Sequence, residues 1–256
     1  MSALFDCHLH IIDPAFPLVP NQGYLPPAYG VDAYRAELAG LGLKAVGGVV
    51  VSGSFQAMDT AYLEPALAAL GPTWRAVINL DPELDDAAIA RLHGIGVRAI
   101  RVNLKRGAGT ALADLERQAR RVWDLAGWHT EFYLDAGAVL PDLRPALAKL
   151  PKIAIDHLGL TAAGLVELEA LAAHGAAVKA TGFSRFDGDV AEALRRLDAA
   201  NPGALMAGSD LPSTRAPARF GAGDLDLLRD SFAGRDLDRI LRGNGAAFYA
   251  VDLPEL

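Results

Sequence analysis

Two histidines one residue apart, His8 and His10, stand at the end of an apolar run close to the start of the chain. In a strand, residues two apart share a face, so both imidazoles project from one wall. Pro14 cannot continue a central ladder, which places the pair at the strand's carboxyl end. Much further along, Asp156-His157 and Asp210 close two other short apolar runs. Three imidazoles and a carboxylate support two chemistries. They can hold Zn²⁺ or Mn²⁺ with a water in the open position, lowering that water's pKa toward neutrality. Without metal, the imidazoles can polarise a carbonyl while Asp210 takes a proton from water. Both lead to hydrolysis, provided the fold unites residues from opposite ends of the chain.

The elements that must do so follow from periodicity. Apolar runs at 3–10, 45–51, 74–80, 97–104, 130–134, 152–157, 176–181 and 204–209 read as strands, with helix-like segments between them. Among these, 61–70, 85–93, 111–126 and 141–150 are helical, and Asp32 is placed to cap a helix bearing Tyr34, Leu38 and Leu41 on one face. Eight strand-helix units with nearly continuous apolar strands describe a parallel sheet buried on both faces. The count favours a closed (β/α)8 barrel over an open doubly wound sheet. No linker or repeat divides the chain, so residues 1–256 are expected to form one barrel domain.

In such a barrel the carboxyl ends of the strands converge on one face. There the sequence places His8 and His10, Ser52, Asn79, Arg101 and Asn103, Tyr133 and Asp135, Asp156 and His157, Lys179 and Thr181, and Asp210. The long loop 14–30 carries Tyr24 and Tyr29, either of which can cover a substrate. His129 precedes its strand and belongs near the opposite rim, where a role in stability is expected. His93 and His174 sit at helix ends, where a cation suits the helix dipole. Arg101 can form a strand-end ion pair with Asp135, and Lys105 has the place of a solvated or anion-binding lysine.

Composition narrows the field. A chain of 256 residues that is 52% hydrophobic can bury a large core, and its net charge of −7 provides no broad basic field for nucleic acid. Cys7 is the single cysteine, so no intramolecular disulfide forms and nothing ties the chain to an oxidising compartment. No secretory signal or membrane-length apolar run is evident, and a cytoplasmic location with no membrane partner is expected. Oligomeric state is not legible.

Asp6-Cys7-His8-Leu9-His10, Ile155-Asp156-His157-Leu158-Gly159 and Gly208-Ser209-Asp210-Leu211-Pro212 together resemble strand-end signatures of the amidohydrolase superfamily, in its amidohydrolase-2 or lactonase branch. The resemblance covers essentially the whole chain. It implies a hydrolase that opens the lactone ring of a small anionic substrate, of the 2-pyrone-4,6-dicarboxylate or sugar-acid type, by attack of water activated by Asp210. It also implies that Arg101, Arg106 and Arg185 hold substrate carboxylates, which guanidinium forks suit through paired charge-assisted bonds. Ser52, Tyr133 and Tyr24 fall at substrate-contact positions. Val50 stands where the branch often has glutamine, and Arg106 lies one residue closer to Arg101 than in the family pattern. The implied catalysis needs no metal, or at most a weak, exchangeable Zn²⁺ or Mn²⁺ on His8, His10 and Asp210. Lactone isomerisation, non-oxidative decarboxylation and non-catalytic carboxylate binding stay open as alternatives.

Overall fold

The computed structural model describes residues 1–105 and 112–253. Strands β1 (Ser2–Leu9), β2 (Leu43–Val51), β3 (Trp74–Asn79), β4 (Val97–Asn103), β5 (His129–Tyr133), β6 (Ile153–Ile155), β7 (Ala177–Ala180) and β8 (Leu205–Ala207) pair in parallel, in sequence order. Helices α1 (Val31–Gly40), α2 (Leu63–Leu70), α3 (Asp86–Ile95), α4 (Leu112–Ala126), α5 (Ala136–Leu147), α6 (Leu165–Ala173) and α7 (Val190–Ala200) join successive strands, and α8 (Ala222–Ser231) follows the last. The expected (β/α)8 barrel is the fold observed. Beyond the regular ladders its two ends meet through backbone: Asp210 N–H donates to the His8 carbonyl at 2.7 Å, and His10 N–H to that of Leu211 at 2.8 Å.

Two cores result. Leu, Ile and Val side chains on the outer face of the sheet pack under the helices. Inside the barrel, Phe5, Cys7, Val49, Val51, Val77, Ala99, Ala154, Ala177 and Met206 form a second cluster with Ala246, Tyr249 and Val251. The last three come from the final helix, Asn244–Phe248, and the residues just after it, which together plug the barrel at the amino ends of the strands. Only glycine fits at 245 in that plug, because a Cβ there would lie 2.4 Å from the Cys7 sulfur.

The expected helix at 141–150 starts earlier. Asp135 caps it by accepting from Ala138 N–H, and α5 runs through both Pro141 and Pro145. Local proline preference is overridden here by a good cap and a buried face of Ala136, Leu140 and Leu147. Asp32 lies in the first turn of α1 and Gly30 takes the cap position; Tyr34 and Leu38 are buried as expected. Among the described residues, no helix is long and apolar enough to cross a membrane.

Candidate active site

The strand carrying the two histidines does not alternate simply. Phe5 and Cys7 face the barrel interior, so strict alternation would turn His8 and His10 outward. A register irregularity between Asp6 and Leu9 resets the phase, and both imidazoles then face inward at the mouth. Asp6 fixes this bend. Its buried carboxylate accepts from Ser209 N–H at 2.8 Å, Ser209 Oγ at 2.6 Å, Tyr34 Oη at 2.9 Å and His8 N–H at 3.2 Å.

Two further candidates occupy strained backbone. β6 ends at Ile155, two residues before the expected boundary, and His157 lies in a tight turn with φ of 52°. Asp210 has φ of 56°. Left-handed conformations at non-glycine residues are costly and concentrate at functional sites. Here they bring His157 and Asp210 to the β1 histidines. The Nε2 atoms of His8, His10 and His157 stand 3.8, 3.9 and 3.9 Å from Asp210 Oδ1.

The electrostatics separate the roles. Burial pushes all three histidines down, His10 to about 3, so the imidazoles are neutral near pH 7. His10 Nδ1 lies 2.7 Å from the Val51 carbonyl and must donate to it, which leaves its Nε2 as a bare acceptor. His8 Nδ1 stands between the Lys179 ammonium at 3.4 Å and the Asp156 carboxylate at 3.3 Å, so this nitrogen finds a partner in either tautomer. Asp210 is pushed up to about 6 by burial, against the opposing pull of Arg185. Arg185 holds Asp210 Oδ2 at 2.9 and 2.8 Å, while Oδ1 has no hydrogen-bond partner.

Below this layer lies a buried charge network that sequence reasoning missed. Asp156 receives Arg101 at 2.8 Å and approaches His8 Nδ1 and Lys179 at 3.3 Å. Burial alone would raise the Asp156 pKa, but Lys179, Arg101 and His8 outweigh it and hold the carboxyl well below its ordinary range. Lys179 also pairs closely with Glu131, which accepts from Tyr249 Oη and lies 2.9 Å from His129 Nε2. Glu131 and Lys179 each stand alone as charged residues in short buried strands, and that was the available signal.

A cleft of about 430 Å³, counted out to bulk solvent, opens over the histidines. His10, His157, Asp210, Arg101, Arg185, Tyr133 and Tyr24 line it, as do Phe55 and Arg215, which the sequence reading did not single out. His8 is fully buried beneath. Ser52 is the exception among the expected contacts. It does not line the cleft, because its buried hydroxyl is bonded to Tyr62 Oη at 2.8 Å. Arg106 lies outside the described residues. Arg101 pairs with Asp156, and Lys105 takes Asp135 at 2.8 Å. Tyr29 is buried and donates to Glu37 at 2.7 Å, so Tyr24 is the tyrosine of that loop at the cleft. His129 lies toward the plug, against Phe248 and Tyr249.

The donors fit a single divalent cation. His8, His10 and Asp210 offer ligand atoms within 4.8 Å of one another, and His8 Nε2 and Asp210 Oδ1 are buried without partners. Neutral imidazoles and a carboxylate are suitable ligands.

The amidohydrolase family model matches residues 5–251. The chain belongs to the amidohydrolase family. A 2-pyrone-4,6-dicarboxylate hydrolase of Comamonas testosteroni is 32% identical over 161 residues, 60% of this chain and 51% of the relative. The chain thus spans about half the length of that curated relative. A crystal structure from Agrobacterium tumefaciens superposes with a TM-score of 0.84 at 21% identity, over 99% of this chain and 98% of the other. A Pseudomonas putida protein provisionally named 2-pyrone-4,6-dicarboxylic acid hydrolase gives 0.83 at 24% identity, over 99% and 100%. At these identities the two structures bear on the fold. Family membership, carried by the matched residues, agrees with the resemblance read from the three strand-end motifs.

Proposed function

We propose that this amidohydrolase opens the ring of a small carboxylate-bearing lactone, with 2-pyrone-4,6-dicarboxylate as the leading candidate. One observation carries the mechanism: the unpartnered Oδ1 of Asp210, raised to about 6, faces three imidazole Nε2 atoms at the cleft. A carboxylate with a pKa near the working pH is suited to take a proton from water. His10 Nε2, as acceptor, orients that water through its second hydrogen. The oxygen attacks the lactone carbonyl carbon, and the proton passes to Asp210.

The negative charge that develops on the carbonyl oxygen is met by His8 in its Nε2–H tautomer and by the positive field of Arg101 and Arg185. Collapse of the tetrahedral adduct breaks the ring C–O bond, and the proton on Asp210 goes to the leaving oxygen. The product is a hydroxy acid or its keto tautomer. If Zn²⁺ or Mn²⁺ is bound, His8, His10 and Asp210 would hold it, and it would supply carbonyl polarisation and a lower pKa for water. The steps above are assigned to side chains alone. The name of the Comamonas relative supports the substrate class.

Asp210→Asn tests the assignment. It should lower kcat by ~10³-fold while substrate binding is kept, since general base catalysis contributes ~10²–10⁴. Retention of the wild-type rate would remove Asp210 from this role. Mass analysis of the product checks the reaction class, because hydrolysis adds one water whereas isomerisation leaves the mass unchanged and decarboxylation releases carbon dioxide.

A further inference from the structure

The buried charges around the site balance. Arg101 is held by Asp156, Arg185 by Asp210, and Lys179 by Glu131 and Asp156, while burial keeps the three histidines neutral. Among the described residues three buried cations face three carboxylates, leaving no surplus positive charge among them to attract a multiply charged acid. At the rim, Lys105 is likewise paired with Asp135.

Arg215 differs. It lines the same cleft and is half-buried, and its backbone is left-handed with φ of 57°. Its guanidinium lies over the Tyr24 ring, 4.7 Å from the centroid, and donates to the Asn21 carbonyl, to Asn21 Oδ1 at 3.5 Å and to Gln22 Oε1 at 3.4 Å. Every one of these partners is neutral. Among the described residues, no carboxylate lies within ion-pair distance of Arg215. The two amide contacts are long and are readily exchanged for a charged acceptor, since charge-assisted bonds to guanidinium are shorter and about twice as strong.

We infer that Arg215, which neither the family resemblance nor the sequence reading assigns, determines specificity by binding a carboxylate of the substrate. The inference rests on the proposed function insofar as that reading supplies an acidic substrate. The acid replaces the Asn21 and Gln22 amide oxygens on the guanidinium, while Tyr24 keeps the guanidinium plane in place from one side. Loop 14–30 and the loop after β8 thus together form a carboxylate subsite. A neutral ring of the same shape gains nothing from it.

The test is direct binding by calorimetry with two unreactive rings, isophthalate and its neutral isostere isophthalamide. The wild type is expected to prefer the dianion. Arg215→Gln should reduce the preference at least ~10-fold, the range expected for losing a charge-assisted pair. Asn21→Asp, which neutralises Arg215 in place, should reduce it similarly, and it decides the matter alone if the first variant does not fold. An unchanged preference in Asn21→Asp would overturn the inference, even where Arg215→Gln lowers it, because the arginine would then only hold the loop. Equal wild-type affinity for the two rings, or binding of neither, would overturn it as well. A charge-selective protein that hydrolyses no lactone would remove the proposed reaction and leave the subsite standing. Lactone hydrolysis with an unaltered preference in both variants would do the reverse.

Discussion

On the proposed mechanism, replacing Arg185 by glutamine separates the base from the group that tunes it. Burial raises Asp210 to about 6, and Arg185, on its Oδ2 at 2.8 and 2.9 Å, restrains that rise. With charge centres ~4 Å apart and an effective dielectric of ~20, the attraction is on the order of 4 kcal/mol. At about 1.4 kcal/mol per pKa unit this sets a ceiling of ~3 units. Water and the new amide recover part of it, so the variant's Asp210 is expected at ~7 to ~8. Only the ionised form accepts a proton, so kcat/KM rises with pH through this pKa in both proteins. At pH 6 the wild type is about half ionised, whereas a variant with a pKa of ~7.5 is only ~3% ionised, a fall of ~15-fold in that form. The pH-dependent part of the deficit should shrink as pH rises and nearly vanish by pH ~9 once spontaneous lactone opening is subtracted, leaving a constant loss from the missing guanidinium field at the oxyanion. The assay is kcat/KM across pH on one substrate. A limb that stays at about 6 or moves down refutes the reasoning, as does a loss of equal size at every pH. The last result would mean that Arg185 acts on the substrate alone.

Lys179→Met leaves Glu131 and Asp156 buried without their shared cation. Removing one partner of such a network costs ~3–5 kcal/mol, and urea unfolding should show it, with Glu131→Gln in the same chain recovering part; a loss below ~1 kcal/mol would contradict the network. Gly208→Ala places a Cβ 2.9 Å from His8 N and 3.2 Å from His8 Cβ, so the β1 end must shift. A cost of ~1–3 kcal/mol in stability and reduced turnover should follow, and unaltered activity would show that the bend tolerates movement. Turnover should survive extended dialysis against a chelator, with metal content measured on the same sample. Loss of activity that Zn²⁺ or Mn²⁺ restores would instead make the cation essential.

Much of the architecture was legible because the strands are short, apolar and regularly spaced, and that pattern depends little on tertiary detail. His8, His10, His157 and Asp210 were legible for the same reason, being polar residues at apolar strand ends. What escaped was pairing. Arg101 finds Asp156 because both project into one barrel interior, whereas sequence offered Asp135 as its partner. Ser52 ends its strand as expected, but which way its hydroxyl turns depends on Tyr62, outside the strand. Lys179 and Glu131 were hidden by a rule that charges avoid interiors, which holds only until they meet each other. The start of α5 at Ala136 escaped because Pro141 reads as a first helical residue, whereas the Asp135 cap and a buried face carry the helix through it.

The seam between β1 and β8 unites the first and last strands through Asp6, Ser209, His8 and Asp210. During synthesis, the histidine-bearing segment leaves the ribosome well before its carboxylate partner emerges. On the proposed mechanism, a nascent chain that stops short of Asp210 has imidazoles but no base, and so cannot turn over a lactone however well its earlier units have packed. Appearance of activity is therefore a clock for ring closure. In a pulse of synthesis, turnover should lag behind protease resistance of the amino-terminal units by the time needed to make and dock the last strand.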